Sequence, residues 1–129
     1  MQLEITVHKT AACFSCSVSG LFNLCTGTKA IDTVLSAIAK TEKSLVLVDA
    51  TQIGNEVNAM EKIMWAYEAQ REFELFVHTY NYQPRIAIYG TPPFITKYKP
   101  ASNYFRDCNI PIRTFDSVEE AKLWLFQEI

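Results

Sequence analysis

The stretch Ser44-Leu45-Val46-Leu47-Val48-Asp49-Ala50-Thr51 decides the fold of this chain. Residues 45–48 form an unbroken run of leucine and valine, without alternation of polar and apolar side chains. Such a short apolar run is typical of a strand that is buried on both faces of a parallel sheet. Asp49 is therefore predicted to mark the point at which this central strand leaves the core.

Strands and helices alternate on both sides of the central strand. Polar and apolar residues alternate over 3–8, and less regularly over 12–19, which predicts two strands that pair as a hairpin. Apolar periodicity and capping residues then predict the remaining elements. These are a helix over 29–40 with Thr28 as its N-cap, the central strand, a helix over 58–77, a strand over 85–89, a helix over 101–108, a strand over 111–115, and a helix over 118–127 that starts at the capping box Ser117-x-x-Glu120.

This order, ββαβαβαβα, predicts an α/β fold. The last three strands follow crossover helices and should be parallel, whereas the initial hairpin makes the sheet mixed. We therefore expect a mixed, mostly parallel five-stranded sheet flanked by helices. A chain of 129 residues without a linker-like stretch fits a single domain over residues 1–129.

The composition excludes several classes of protein. With 49% apolar and 20% charged residues, the chain is expected to be globular rather than disordered. Its net charge of -2 gives no overall attraction to nucleic acid or to an anionic membrane surface. The first residues lack the pattern of a signal peptide, and no apolar run is as long as a membrane span. We therefore expect a soluble, cytoplasmic chain whose four cysteines are reduced thiols.

The element order and three stretches of sequence resemble the STAS superfamily, specifically its SpoIIAA-like branch, often described as STAS/SEC14. The stretches are the end of the central strand at 49–51, the strand Arg85-Ile86-Ala87-Ile88-Tyr89-Gly90, and the terminus at 114–125, which reads Thr-Phe-Asp-Ser-Val-Glu-Glu-Ala-Lys-Leu-Trp-Leu. In element order the resemblance covers almost the whole chain. It implies a small cytosolic regulatory or binding module, usually without catalysis. We accordingly expect no catalytic residues, no cofactor and no metal site.

A possible phosphorylation site follows from the same resemblance. In the bacterial anti-sigma antagonists of this family, the loop after the central strand carries Asp-Ser-Ser-Gly, and its serine is phosphorylated. The matching positions here read Asp49-Ala50-Thr51-Gln52, without the serine pair and the glycine. Thr51 retains a hydroxyl, so a phospho-switched regulator that acts through Thr51 is the third functional hypothesis.

Residues at two predicted strand ends form the first candidate site. They are Asp49, Thr51, Gln52, Gly90 and Thr91. Ligands of open α/β sheets favour this edge, and the N-terminus of the helix near Asn58 would add partial positive charge that suits an anion or phosphate. The alternative is that Asp49 and Thr51 cap a turn or bond to loop backbone. A SEC14-like binder of a small apolar or anionic ligand, with walls at 21–24 and 92–95, is the second functional hypothesis.

The long helix carries the second candidate surface. Its predicted apolar face consists of Ala59, Met60, Ile63, Ala66, Tyr67 and Phe73, and the opposite face carries Glu61, Trp65, Glu68 and Glu72. An exposed tryptophan beside acidic side chains suggests a contact surface for a protein partner or for a second copy in a homodimer. The alternative is that a neighbouring loop covers Trp65.

Three further patterns are interpreted as structural. Cys13 and Cys16 lie three apart on a predicted strand, so their thiols should face opposite sides, unlike a redox or zinc pair. His8 and His78 are remote in sequence and show no metal-ligand pattern. A basic and aromatic region would suit single-stranded nucleic acid, but the overall charge favours a solvated face over core aromatics. Its residues are Lys97, Tyr98, Lys99, Tyr104, Phe105, Arg106 and Arg113.

The preferred functional hypothesis is a non-catalytic regulatory or protein-interaction module. It would act through the loop after the central strand and through the long helix. An enzyme ranks last, because no set of nucleophile, base and acid is recognisable in the sequence.

Overall fold

A computed structural model of the chain describes residues 3–9, 13–41, 43–95, 104–105 and 109–127. In chain order its elements are β1 (Glu4–Lys9), β2 (Phe14–Gly20), α1 (Leu24–Thr41), β3 (Leu45–Ile53), α2 (Ala59–Tyr80), β4 (Arg85–Tyr89), β5 (Ile112–Phe115) and α3 (Val118–Leu125). The helix predicted over 101–108 lies outside the described residues, apart from Tyr104 and Phe105, which form a turn. Lys97, Tyr98, Lys99 and Arg106 of the predicted basic region also lie outside them.

The five strands form one sheet in the order β1-β2-β3-β4-β5. β1 and β2 are an antiparallel hairpin, whereas each pair from β2 to β5 is parallel. The predicted fold class, α/β with a mixed and mostly parallel sheet, is therefore confirmed. β3 is the middle strand, and its residues Val46, Leu47 and Val48 are all buried, so that both of its faces are covered.

Helices cover the two faces of the sheet unequally. α1, α2 and parts of the connection from β4 to β5 pack on one face and form the larger core around Val46 and Val48. α3 packs on the other face, where Ala121 and Leu125 meet Leu47 in a smaller core. α3 lies on β3, β4 and β5. The same face of β1 and β2 carries polar side chains instead.

Cys13, just before β2, and Cys16, within β2, face opposite sides of the sheet, as the sequence predicts. Cys16 belongs to the larger core and Cys13 to the smaller one, and both are buried. Burial, with a smaller contribution from the carboxylate of Asp49, raises the pKa of the Cys16 thiol to about 12. At neutral pH Cys16 is therefore a protonated core residue and not a reactive thiolate. Cys25 is exposed on α1.

α1 begins about one turn earlier than predicted, at Leu24. Asn23 and Thr26 cap it reciprocally, because each side-chain oxygen accepts from the backbone N–H of the other residue at 2.9 Å. Thr28, predicted as the N-cap, lies inside the helix and donates its hydroxyl to the Leu24 carbonyl at 2.8 Å. The helix can start in this polar segment because the cap satisfies N–H groups that would otherwise be unpaired.

β3 extends farther than predicted, to Ile53. β2 continues beside it, and a bulge between Ser17 and Ser19 shifts the pairing register. Because β2 supplies backbone partners over this whole length, Asp49 lies within the strand. The prediction that the strand leaves the core at Asp49 is therefore wrong.

The inner face of α2 differs from the predicted one. It consists of Trp65, Ala66, Ala69, Phe73 and Phe76. Met60, Ile63 and Tyr67, predicted inside, are exposed, whereas Trp65, predicted outside, is only 5% exposed. The physical reason is that apolar residues occur on both sides of this helix, and the largest aromatic ring takes the buried position.

Substitution Gly27→Ala is expected to destabilise the fold, although alanine normally favours a helix. A Cβ at Gly27 would lie 2.6 Å from the ring of Phe22 and 2.8 Å from Trp65 Nε1. Overpacking of this kind costs roughly 1–3 kcal/mol, more than the helix-propensity gain of about 1 kcal/mol. The measurement is the free energy of unfolding in a denaturant titration.

Gly54→Ala is the matched control, because no atom lies within 4 Å of a Cβ built there. It should leave the free energy of unfolding close to that of the wild type. A Gly27→Ala protein that is at least as stable as Gly54→Ala would show that Trp65 and Phe22 do not pack against α1 in this way.

Candidate functional site

Asp49 lies on the face of the sheet that α3 covers only in part. Its side chain is half-buried. Asp49 Oδ1 accepts hydrogen bonds from the Thr51 N–H at 2.9 Å and from the Thr51 hydroxyl at 2.6 Å. The two predicted site residues therefore bond to each other within the strand, and the hydroxyl of Thr51 is already engaged by a carboxylate.

Tyr89 is a second partner of Asp49. It lies opposite Asp49 on β4, and its hydroxyl donates a hydrogen bond to the Asp49 carboxylate. Burial, followed by the charge of Asp49 and this hydrogen bond, raises the pKa of Tyr89 above the ordinary tyrosine value. Each of these effects favours the neutral phenol.

Polar side chains continue from Asp49 across the uncovered part of the sheet. Ser17 lies opposite Asp49 on β2, and the distance from His8 Nε2 to Ser17 Oγ is 2.8 Å. We name this set the polar row: His8, Ser17, Asp49, Thr51 and Tyr89. It offers hydroxyl, imidazole and carboxylate groups on one open surface.

Sequence reasoning missed Ser17 and Tyr89 and treated His8 as isolated. The signal lay in the alternation of β1 and β2, where Thr6 and His8 share a face, as do Ser15 and Ser17. Alternation gives the face of each strand but not the pairing register. The contact between His8 and Ser17 could therefore not be derived before the structure.

The other predicted residues of the strand edge do not join the polar row. Gly90 is buried, and a Cβ there would lie 2.9 Å from Ile95 Cγ1, so close packing requires the glycine. Gln52 and Thr91 are exposed, and the Thr91 carbonyl accepts from the Ile95 N–H at 3.1 Å. Among the contacts between described residues, none links Gln52 or Thr91 to Asp49.

The helix N-terminus predicted to attract an anion is occupied by a carboxylate of the chain itself. Asn58 Oδ1 accepts from the Glu61 N–H at 2.8 Å, and Asn58 Nδ2 donates to Glu61 Oε1 at 3.0 Å. Glu61 Oε2 also accepts from the Leu24 N–H at 3.3 Å, at the start of α1. The carboxylate of Glu61 thus lies at the partly positive N-termini of both α1 and α2. Glu61, predicted as a surface contact, has this structural role.

Trp65 is covered, which corrects its assignment to an exposed interaction surface. Three aromatic rings surround it, with centroid distances of 5.0 Å to Phe22, 5.6 Å to Tyr104 and 5.2 Å to Phe105. Asn55 holds Phe22 in place, because its side-chain amide accepts from the Phe22 N–H at 2.8 Å and donates to the Phe22 carbonyl at 2.7 Å. The loop before α1 is therefore the cover over Trp65. Tyr104 and Phe105 are core aromatics, as the sequence predicts.

The burial of Trp65 leaves four large side chains exposed on the N-terminal half of α2. We name them the outer strip: Met60, Ile63, Met64 and Tyr67, which are 65%, 53%, 44% and 67% exposed. Their spacing of i, i+3, i+4 and i+7 is the pattern by which a helix usually packs against a neighbour. Met64 and Tyr67 also line an open groove of about 690 Å³ between α1 and α2.

The acidic residues predicted beside Trp65 lie along this groove. Glu68 is half-buried and forms an ion pair with Arg71 at 3.0 Å. Glu72 is half-buried farther along α2. Exposed ion pairs contribute little to stability, so these carboxylates remain available to shape the charge of the surface.

The larger core contains a cavity of about 70 Å³ with an entirely apolar lining. Small-molecule pockets measure roughly 300–1,000 Å³. Phe22 and Phe94, from the segments predicted to wall a ligand pocket, line this small cavity instead. Both segments therefore contribute mainly to the core.

The described part of the chain has neither a metal centre nor a membrane-spanning helix. No group of three or more His, Cys, Asp and Glu side chains there is arranged to hold a metal ion. His8 and His78 lie on β1 and in the last turn of α2. No described helix combines the length and the hydropathy needed to cross a bilayer.

Solved structures share the arrangement of this chain. An anti-sigma factor antagonist from Mycobacterium paratuberculosis superposes with a TM-score of 0.58 at 10% identity, over 98% of this chain and 96% of that one. An uncharacterized protein with a SpoIIAA-like fold from Shewanella loihica gives a TM-score of 0.50 at 15% identity, over 96% and 94%. No protein-family model and no curated protein matches the sequence. At identities this low, the likeness establishes a shared fold.

Substitution Asp49→Asn is expected to lower the pKa of Tyr89 toward the ordinary value. Because burial is the largest cause of the raised pKa of Tyr89, this pKa should fall only part of the way to the ordinary value. The folded state favours the neutral phenol, so this contribution to stability is present below about pH 10 and is lost as the pH rises through the raised pKa. The measurement is a tyrosine ring-carbon NMR titration, with Tyr89→Phe used to assign the resonance. An unchanged Tyr89 titration in Asp49→Asn would contradict the hydrogen bond.

Proposed function

We propose, from the STAS-type, SpoIIAA-like fold that this chain has, that it is a non-catalytic regulatory module of the cytoplasm. It works by binding another protein through the outer strip of α2. The single observation that carries this proposal is the outer strip itself, in which four large apolar side chains occupy one exposed helix face. Contiguous exposed apolar patches mark interaction sites in soluble proteins.

Methionine and tyrosine suit such a role. Met60 and Met64 have flexible, polarizable side chains that adapt to different partner surfaces. Tyr67 combines apolar contact area with a hydroxyl that can bond at the rim, and tyrosine is frequent among the residues that contribute most to binding. The strip therefore has the composition of a protein contact and not of a solvated helix face.

The solved neighbour from Mycobacterium paratuberculosis supports a protein as the partner. It is described as an anti-sigma factor antagonist, and an antagonist of a protein factor acts on a protein. Carried over to this chain as a proposal, that description favours regulation by binding.

The polar row supports a non-catalytic role. A catalytic triad needs a carboxylate that orients the histidine, but Asp49 accepts hydrogen bonds from Thr51 and Tyr89. His8 contacts Ser17 without such an orienting partner among the described residues. Phosphorylation of Thr51 would also place a phosphate beside the carboxylate of Asp49, where like charges repel. Binding through α2 is therefore favoured over a phospho-switch.

A small-ligand site inside the core has weaker support. The cavity of about 70 Å³ is several times smaller than a pocket for a small molecule, at roughly 300–1,000 Å³. The surface of α2 and not the interior of the core therefore carries the proposed function.

Substitution Tyr67→Ser is expected to weaken partner binding about tenfold or more, which corresponds to about 1.4 kcal/mol. Tyr67 is largely exposed, so the melting temperature should change little. The measurement is native mass spectrometry of the chain purified from its own host, followed by titration of each variant with the captured protein.

Leu123→Ser is the matched control, because Leu123 is 75% exposed on α3, on the other side of the sheet. It should leave binding unchanged. Equal binding by Tyr67→Ser and wild type would contradict the proposal. Release of a small molecule on denaturation, without any protein complex, would favour the ligand hypothesis instead.

A further inference from the structure

Along the groove between α1 and α2, the lining changes from apolar to acidic and back to apolar. The two helices run in the same direction, since residues near the start of α1 face the first half of α2 and later residues face its second half. At one end the groove is lined by Leu24, Met64 and Tyr67. Farther along the same two helices, a second recess of about 190 Å³ is lined by Leu75 and Tyr80, both exposed, and we name the two recesses together the groove. Two apolar ends are thus separated along one continuous helix pair.

Acidic side chains lie between the two apolar ends. Asp32 of α1 and Glu72 of α2 line the groove, and Glu68 lies one turn before Glu72. The one ion pair between two described residues joins Glu68 to Arg71, so neither Asp32 nor Glu72 has a described cation within bonding distance. The centre of the groove is therefore negative.

Among the described residues that line the groove, positive charge lies at one end. Lys29 lines the groove beside Met64 and Tyr67. Arg71 is exposed on α2 and is paired with Glu68. A cation from a partner is therefore attracted to the centre, near Asp32 and Glu72, and not to the end that holds Lys29.

We propose, as a refinement that rests on the proposed function, that the partner supplies an amphipathic helix with a basic centre. Tyr67 and Leu75 are eight residues apart, which is about 12 Å along a helix axis. A helix lying in the groove reaches both apolar ends with anchors about seven residues apart on one face, two turns from each other. Lys or Arg between these anchors faces Asp32 and Glu72.

A second copy of the chain is a poor occupant of this groove. In a symmetric dimer the same surface of each copy meets the other. With the two-fold axis at the centre of the groove, Asp32 and Glu72 would lie against the same carboxylates of the second copy. Like charges in contact disfavour this pairing, so charge complementarity selects a basic helix from a different protein.

Two synthetic peptides of about 16 residues, the length of about 24 Å from Met64 to Tyr80, test this inference. Both carry leucine anchors two turns apart, and they differ only in having Lys or Glu between the anchors. Calorimetric titration of the wild-type chain should show at least tenfold tighter binding of the basic peptide, and added salt should weaken that binding.

The double variant Asp32→Lys/Glu72→Lys should lose or reverse this preference. Glu56→Lys/Glu74→Lys is the matched control, because both glutamates are exposed outside the groove, and it should keep the preference. Circular dichroism melts of both variants verify that they fold.

Each outcome decides the inference separately from the proposed function. Equal binding of the two peptides, or a preference that Asp32→Lys/Glu72→Lys does not change, would overturn the basic-helix proposal. The comparison of Tyr67→Ser with Leu123→Ser would still decide whether α2 binds a protein. A dimer of the chain that is weakened by Tyr67→Ser would also overturn it, because a second copy would then occupy the groove.

Discussion

The burial of Trp65 is the constraint on which the rest of this structure depends. Its indole ring lies among Phe22, Tyr104 and Phe105 and against Gly27 of α1. Trp65 Nε1 is buried without an acceptor among the described residues, at a cost of about 1–3 kcal/mol. Burial of so large an aromatic surface offsets this cost. Once the ring is inside, the rotation of α2 about its axis is set, and the outer strip must face away from the core.

The same constraint explains which parts of the fold could be predicted from the sequence. The strands and their parallel order followed from short apolar runs and from alternation, because burial on one or two faces leaves a direct trace in the sequence. The sequence does not determine which face of α2 is buried, because the exposed outer strip has the spacing of a buried apolar face. Only the contact of Trp65 with a loop distant in sequence resolves the choice, and local patterns do not contain that contact.

The candidate site shows a similar division. The position of Asp49 on the central strand was recognisable, and so was a local structural role for Asp49 and Thr51 as one of two alternatives, but their bond to each other was not predicted. Its neighbours Ser17 and Tyr89 come from other strands and depend on pairing register. The expected anion site at the start of α2 is closed by Glu61, which also bonds to the start of α1. The bonds between Glu61 and Asn58 are local, but the second contact of Glu61, with α1, is a feature of the tertiary structure.

Because helices cover the sheet unequally, its strands differ in local stability. β1 is an edge strand of the sheet, and α3, with eight residues, lies on β3, β4 and β5 and not on β1. Few apolar contacts are lost when such a strand separates, whereas β3 separates only when both cores are disrupted. Local stability therefore rises across the sheet from β1 to β3. The polar row spans this gradient, so we expect amide protons near His8 on β1 to exchange before those near Asp49 on β3.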